Sequence, residues 1–211
     1  MHTTGFWAIL GIGALFGTLH STLASTRVKA WAARRFGINA VKYYRLFFVF
    51  AAALSTLLYF ASIFLFPDSP AYEIRAPYVY LSLLIQLVAG ICFIAALFQT
   101  SLLQFSGLAA LMSRPTSDDK LRTSGFYRYT RHPLYLFALI MLWLLPRMSW
   151  NMLALAIGVT VYTLIGSLLE ERRLAAQFGQ EYMDYKARTP WLLPIKFKRP
   201  SNRQTEGDSD G

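Results

Sequence analysis

Five apolar runs separated by polar connections constrain this chain more than anything else in its sequence. They lie at Phe6 to Ser25, Tyr43 to Phe66, Tyr78 to Phe98, Leu134 to Leu145 and Asn151 to Leu169. A helix that crosses a bilayer needs about 20 apolar residues, because each adds about 1.5 Å and the hydrocarbon is about 30 Å thick. Backbone N–H and C=O groups must be bonded internally in lipid, so uninterrupted runs of this length read as helices. Leu134 to Pro146 falls short, at about 14 positions or roughly 21 Å of helix. It is expected to sit where the bilayer is thinned or to start below the headgroups, with water-accessible polar groups at its start. The predicted architecture is all-α and integral to the membrane. It has about five transmembrane helices and a C-terminal cytoplasmic amphipathic helix.

Composition agrees. Hydrophobic residues make up 55% of the 211 and mean hydropathy is +0.37, whereas soluble domains run near 45–50% apolar. The formal charge of +10 would suit nucleic acid or a lipid surface, and placement decides between them. Of the 21 Lys and Arg residues, all but Arg75 and Arg147 fall in segments 27–45, 113–131 and from 172 onward. That asymmetry is topological and argues against nucleic acid as a partner. It predicts the N-terminus outside and the tail in the cytoplasm, as in a bacterial inner membrane. No Lys or Arg precedes the first run, so it reads as a retained span. Its Gly13 and Gly17 read as a small-residue face for close helix approach. One cysteine, Cys92, and three histidines without an HExxH pattern point away from disulfides and from a metal site.

Polar residues near the spans are candidates for chemistry. His20 and Ser21 lie late in the first run. They read either as a hydrogen-bonded pair between helices or, for His20, as a pocket wall or proton acceptor. Arg27 to Phe36 mixes cations with Val28 and Trp31 and reads as an interfacial piece. Lys42 to Arg45 suits an interfacial anchor, and Tyr44 and Arg45 stand beside His20 and Arg131 as catalytic candidates. Ser101 to Met112 is apolar but short of spanning length, and Ser113 to Lys120 is turn-rich. The helical pattern continues past Glu170 through Leu174, Phe178, Tyr182 and Tyr185. It is interrupted at Gly179 and ended by Thr189-Pro190, and Trp191 to Pro194 suits an interfacial anchor. The organisation expected is N-terminal membrane helices over 1–112, a core over 113–195 and a disordered tail over 196–211.

Gly125-Phe126-Tyr127-Arg128-Tyr129-Thr130-Arg131-His132-Pro133-Leu134-Tyr135 concentrates the rest. Gly125 permits unusual backbone angles, Pro133 pushes His132 away from the α region, and proline suits the first helical position. A helix start beside arginines suits an anion. Glu170-Glu171 should meet it from the end of the last span, although both groups could also be plain interfacial belts.

The string Gly125-x-Tyr127-x-x-x-Arg131-His132-Pro133-x-Tyr135, then Glu170-Glu171-x-x-Leu174-x-x-x-Phe178-Gly179-x-x-Tyr182-x-x-Tyr185, then Pro190 and Pro194, resembles the isoprenylcysteine carboxyl methyltransferase family and the related phospholipid methyltransferases. The amino-terminal half looks more like the bacterial methanethiol S-methyltransferase and NnrU-like subgroup. The resemblance implies S-adenosylmethionine as cofactor, with Leu121, Arg122, Tyr127, His132, Pro133, Leu134, Tyr135 and Glu170 as its contacts. It implies an arginine for a substrate carboxylate one turn before Glu170. Gly166 stands there instead, which favours a small lipophilic methyl acceptor such as a thiol. The alternatives are a phospholipid amine, an isoprenylcysteine carboxylate, or a non-catalytic membrane protein.

Overall fold

The computed structural model describes residues 4–37, 40–100 and 121–194. Helix α1 (Phe6–Ala24) passes directly into α2 (Thr26–Phe36). Ser25 is extended at the joint, and its hydroxyl accepts from the Val28 N–H at 3.3 Å, a side-chain cap for the new helix. Next come α3 (Ala40–Ala61), a 3₁₀ turn Ser62–Phe64, strand β1 (Pro70–Glu73) and α4 (Tyr78–Gln99). After a second 3₁₀ turn, Gly125–Arg128, the chain forms α5 (Pro133–Trp143), β2 (Arg147–Ser149), α6 (Trp150–Phe178) and α7 (Gln180–Arg188). Among the described residues four helices, α1, α3, α4 and α6, are long and apolar enough to cross a membrane, and α5 is a shorter apolar helix. The all-α membrane architecture stands. Segment 101–120, with the short apolar run expected there, and the tail from 195 lie outside the described residues.

A buried apolar core joins α1, α3 and α6 around Ile9, Tyr59, Ala154 and Leu155. Gly13 and Gly158 make room for Tyr59, since a Cβ on either would overlap its hydroxyl. Gly13 therefore admits a side chain between helices, and Gly17 only borders Tyr162 at contact distance. Beside this group α5 lies against α4. Both contacts, α1 with α6 and α4 with α5, cross the boundary drawn at residue 112.

Helix α5 is about 16 Å long, half the hydrocarbon thickness. Its last carbonyls would be orphaned at depth but are met by side chains of α4 and β1. The Gln86 amide donates to Met141 O at 3.1 Å, the Tyr72 hydroxyl to Trp143 O at 3.2 Å and the Ser82 hydroxyl to Leu144 O at 2.5 Å.

Two of the polar connections pair with each other. β1 and β2 form an antiparallel ribbon in which Tyr72 faces Met148 and Glu73 faces Arg147. Asn151 locks it to the bundle, its amide nitrogen lying 3.2 Å from each of the Ile63, Phe66 and Pro67 carbonyls. At the other end, α6 runs on past Glu170 to a length of about 44 Å. Gly179, at φ +55°, does more than weaken the helix. It turns the chain, so Tyr182 and Tyr185 belong to a separate helix.

Candidate active site

The start of α5 is shaped by two backbone requirements. Gly125 sits at φ +62°, and a Cβ there would run into the Gln99 side chain, whose oxygen accepts from the Phe126 N–H at 3.2 Å. His132 lies outside the α region at φ −128° and ψ 63°, and Pro133 opens the helix, as its position before an apolar run predicts. The C-terminal segment then straps this loop down. The Tyr185 hydroxyl donates to Tyr127 O at 2.7 Å, and the Arg131 N–H to Pro190 O at 3.0 Å. The buried Thr130 hydroxyl lies 2.8 Å from Leu192 O and 3.1 Å from Trp191 O.

Against this loop stand two consecutive carboxylates that face different ways, because successive helical residues diverge by about 100°. Glu170 accepts a hydrogen bond from the Tyr135 hydroxyl at 3.0 Å, and the same oxygen lies 3.6 Å from His132 Nδ1. The His132 ring stacks on Tyr135 at 5.3 Å. Glu170 is 39% exposed, whereas Glu171 is only 6% exposed and is ringed by two cations and a histidine. Arg131 Nη1 approaches Glu171 to 2.7 Å, Lys186 Nζ to 2.9 Å and His132 Nε2 to 3.5 Å.

This second cluster is close-packed but poorly aligned. Arg131 Nε and Nη1, His132 Nε2, Glu171 Oε1, Tyr182 Oη and Trp191 Nε1 are buried without an aligned hydrogen bond among the described residues. Burial holds the His132 imidazole below its ordinary range, despite the upward pull of Glu170 and Glu171, so it is neutral at neutral pH. Burial, helped by Glu171, pushes the Tyr182 phenol up to about 12, and burial raises Tyr185 too. Both phenols are therefore donors.

The family described as "Protein of unknown function (DUF1295)" matches residues 24–189, a span that holds the loop, both carboxylates and α7. The chain belongs to that family. It is 31% identical over 186 residues to methanethiol S-methyltransferase 1 of Bradyrhizobium diazoefficiens, covering 86% of this chain and 64% of that protein. To the methanethiol S-methyltransferase of Pseudomonas deceptionensis it is 35% identical over 96 residues, 46% of this chain and 37% of the relative. Human nurim is 26% identical over 177 residues, 78% of this chain and 66% of nurim. The chain thus spans less than two thirds of the methyltransferases it matches. These relatives bear out the resemblance carried by the motif. No solved structure matches the chain.

Within this family member, the structure brings Arg131, His132, Pro133, Leu134, Tyr135 and Glu170 together. Tyr127 frames the loop, with its hydroxyl 3.2 Å from Thr100 Oγ1. Leu121 is half-buried and Arg122 exposed where the loop begins. Two other candidates lie on different elements. His20 is on α1 among Phe16, Phe48 and Tyr162. Tyr44 ties α3 to α1 by donating to Leu23 O at 2.6 Å. The side chain of Arg45 lies outside the described residues. Sequence reasoning gave no separate role to Glu171, Lys186, Tyr182 or Tyr162. Glu171 had a usable signal, since it falls four residues after Ser167 on the buried face of α6. Lys186 had none, because its partner is set by the turn at Gly179.

Proposed function

We propose that this chain is an integral membrane methyltransferase that uses S-adenosylmethionine and methylates a small apolar thiol. The observation that carries the reading is the Tyr135–Glu170–His132 contact, which presents a half-exposed carboxylate beside a cationic helix start. The names of the matching relatives support the same chemistry. The proposed orientation puts the basic face in the cytoplasm of a bacterial inner membrane.

The residues fit the cofactor in kind. Glu170, held by Tyr135 at 3.0 Å, keeps surface exposed for an ammonium or ribose hydroxyls. The start of α5 and Arg122 suit a carboxylate, and Leu121, Leu134 and Tyr135, all half-buried, suit an adenine. Tyr127 and Pro133 shape the loop behind them. When bound, the cofactor supplies a methyl group on a sulfonium, already a good leaving group. The protein's share is then alignment and exclusion of water. His132, neutral and stacked on Tyr135, orients the phenol toward Glu170. Arg131 is committed to Glu171 at 2.7 Å, so we assign it to positioning the loop. Tyr44, bonded to Leu23 O, positions α3.

Purified protein in detergent should bind S-adenosylmethionine in a calorimetric titration. Glu170→Gln should weaken binding at least tenfold, about 1.4 kcal/mol, and an unchanged affinity would remove Glu170 from the site. Offering labelled methyl groups to thiols, phosphatidylethanolamine and a prenylcysteine in parallel sorts the acceptors.

A further inference from the structure

Helix α2 carries charge that the chain itself does not neutralise. The first 67 residues contain six Lys and Arg and no Asp or Glu. Asp68, the first acid, is separated from α2 by α3, a helix of 22 residues or about 33 Å. Arg27, Arg34 and Arg35 are exposed, and among the described residues none of the three forms an ion pair. The segments outside the described residues hold no surplus of negative charge to offer. Residues 101–120 contain two acids and two bases, and residues 195–211 three acids and four bases. A second copy of the chain, at +10, presents the wrong sign. The counter-charge for α2 therefore comes from another molecule.

Its position in the fold says which. α2 lies between two membrane-length segments, Phe6–Ala24 and Leu46–Phe64, and packs against α1 and α3, which holds it at a membrane face. Buried Ala32 and half-buried Val28 and Ala33 turn toward the bundle. Arg27, Trp31 and Arg35 follow at four-residue spacing and Arg34 comes three after Trp31, so cations and an indole share the outer side. Trp31 is 56% exposed and meets Phe36, 66% exposed, edge to face at 6.0 Å. Water alone would solvate the arginines but gives no reason for two large rings among them. A lipid surface accommodates both, rings at the head-group level and cations against phosphate. We propose that α2 is a docking surface for anionic phospholipid. Its guanidinium groups donate paired hydrogen bonds to phosphodiester head groups of net negative charge, a geometry that suits arginine, while Trp31 and Phe36 seat beneath those head groups. The proposal does not depend on the methyltransferase reading.

The test uses full-length protein in phosphatidylcholine bilayers that contain a trace of spin-labelled phosphatidylglycerol or spin-labelled phosphatidylcholine. Electron paramagnetic resonance reads the fraction of each label immobilised by the protein. The unmodified protein should hold the anionic label about threefold more strongly or better, and equal association would overturn the proposal. Changing Arg27, Arg34 and Arg35 together to Gln should lower that preference about twofold or more, whereas changing all three to Lys should keep most of it. A preference that survives the Gln changes belongs to the other basic segments and sinks the assignment to α2. Should the Gln variant fail to fold, tryptophan quenching decides. The Trp31 share of the emission, taken as the difference between the unmodified protein and Trp31→Phe, should be quenched about twofold more by brominated phosphatidylglycerol than by brominated phosphatidylcholine. Equal quenching counts against the surface. If single-stranded DNA binds the protein while the two spin labels stay equal, the arginines face a nucleic acid and the proposal fails.

Discussion

The two ends of this bundle solve the same problem in opposite ways. At the ribbon end, the buried polar group is neutral: the Asn151 amide nitrogen is bonded, and only its Oδ1 lacks a hydrogen-bond partner among the described residues. Asn151 lies within hydrogen-bonding reach of three carbonyls, and its backbone N–H donates to Asp68 at 3.1 Å. The one ion pair described there, Arg147 with Glu73 at 2.9 Å, sits in solvent. At the α5 start, charges themselves are buried. Glu171 and Arg131 are 6% and 10% exposed, and several of their polar atoms lack aligned partners. Desolvating ions costs more than desolvating amides. A fold that needed only to hold its helices together would use the first arrangement at both ends. On the proposed function, the second is where buried charge serves binding as well as stability.

That contrast can be broken by substitution. Glu171→Gln should be the most damaging change, because it leaves Arg131 buried without its counter-ion, a loss of about 3–5 kcal/mol. Thermal unfolding in detergent would read it, and a wild-type midpoint would mean that the cluster is not buried in solution. Asn151→Leu, at the opposite end, should cost about 2 kcal/mol through the amide bonds lost to the Ile63 and Phe66 carbonyls, with Pro67 O still bonded by the Gly5 N–H and cofactor binding untouched. A smaller effect should appear with pH. His132, facing Glu170, Glu171, Arg131 and Tyr135, has a folded pKa below the 6.5 of the free side chain. Below about pH 6.5 the unfolded chain takes up a proton that the folded protein refuses, so stability falls as pH drops through that window and is complete above it. His132→Gln should flatten this slope in melts taken between pH 5 and 7.5. The smallest effect belongs to Arg147→Ala. Arg147 is 85% exposed, and its loss should change the melting midpoint by less than about 1 kcal/mol in stability terms.

The helices were legible because runs of apolar residues at membrane length admit few alternatives. The α5 start was legible because Gly125 and Pro133 each carry a backbone requirement in their own covalent structure. What could not be read depended on partners distant in sequence. Nothing local in Pro70 to Glu73 indicates pairing with Arg147 to Ser149. The bonds from Tyr72, Ser82 and Gln86 to the end of α5 exist only once α4 and α5 are side by side. Glu170 and Glu171 look alike as letters, and only the rotation of α6 makes one half-exposed and the other enclosed. His20 was visible as a polar residue in a span, but its companion Tyr162 looked like any aromatic in a membrane helix.

Helix α6 has no joint between its lipid-facing turns and Glu170. Tilt is therefore a shared coordinate: any lean of this rod against α5 also moves the carboxylate against a phenol 3.0 Å away. A hydrogen bond tolerates only a few tenths of an ångström before it weakens. The pairing is thus sensitive to how α6 leans against α5.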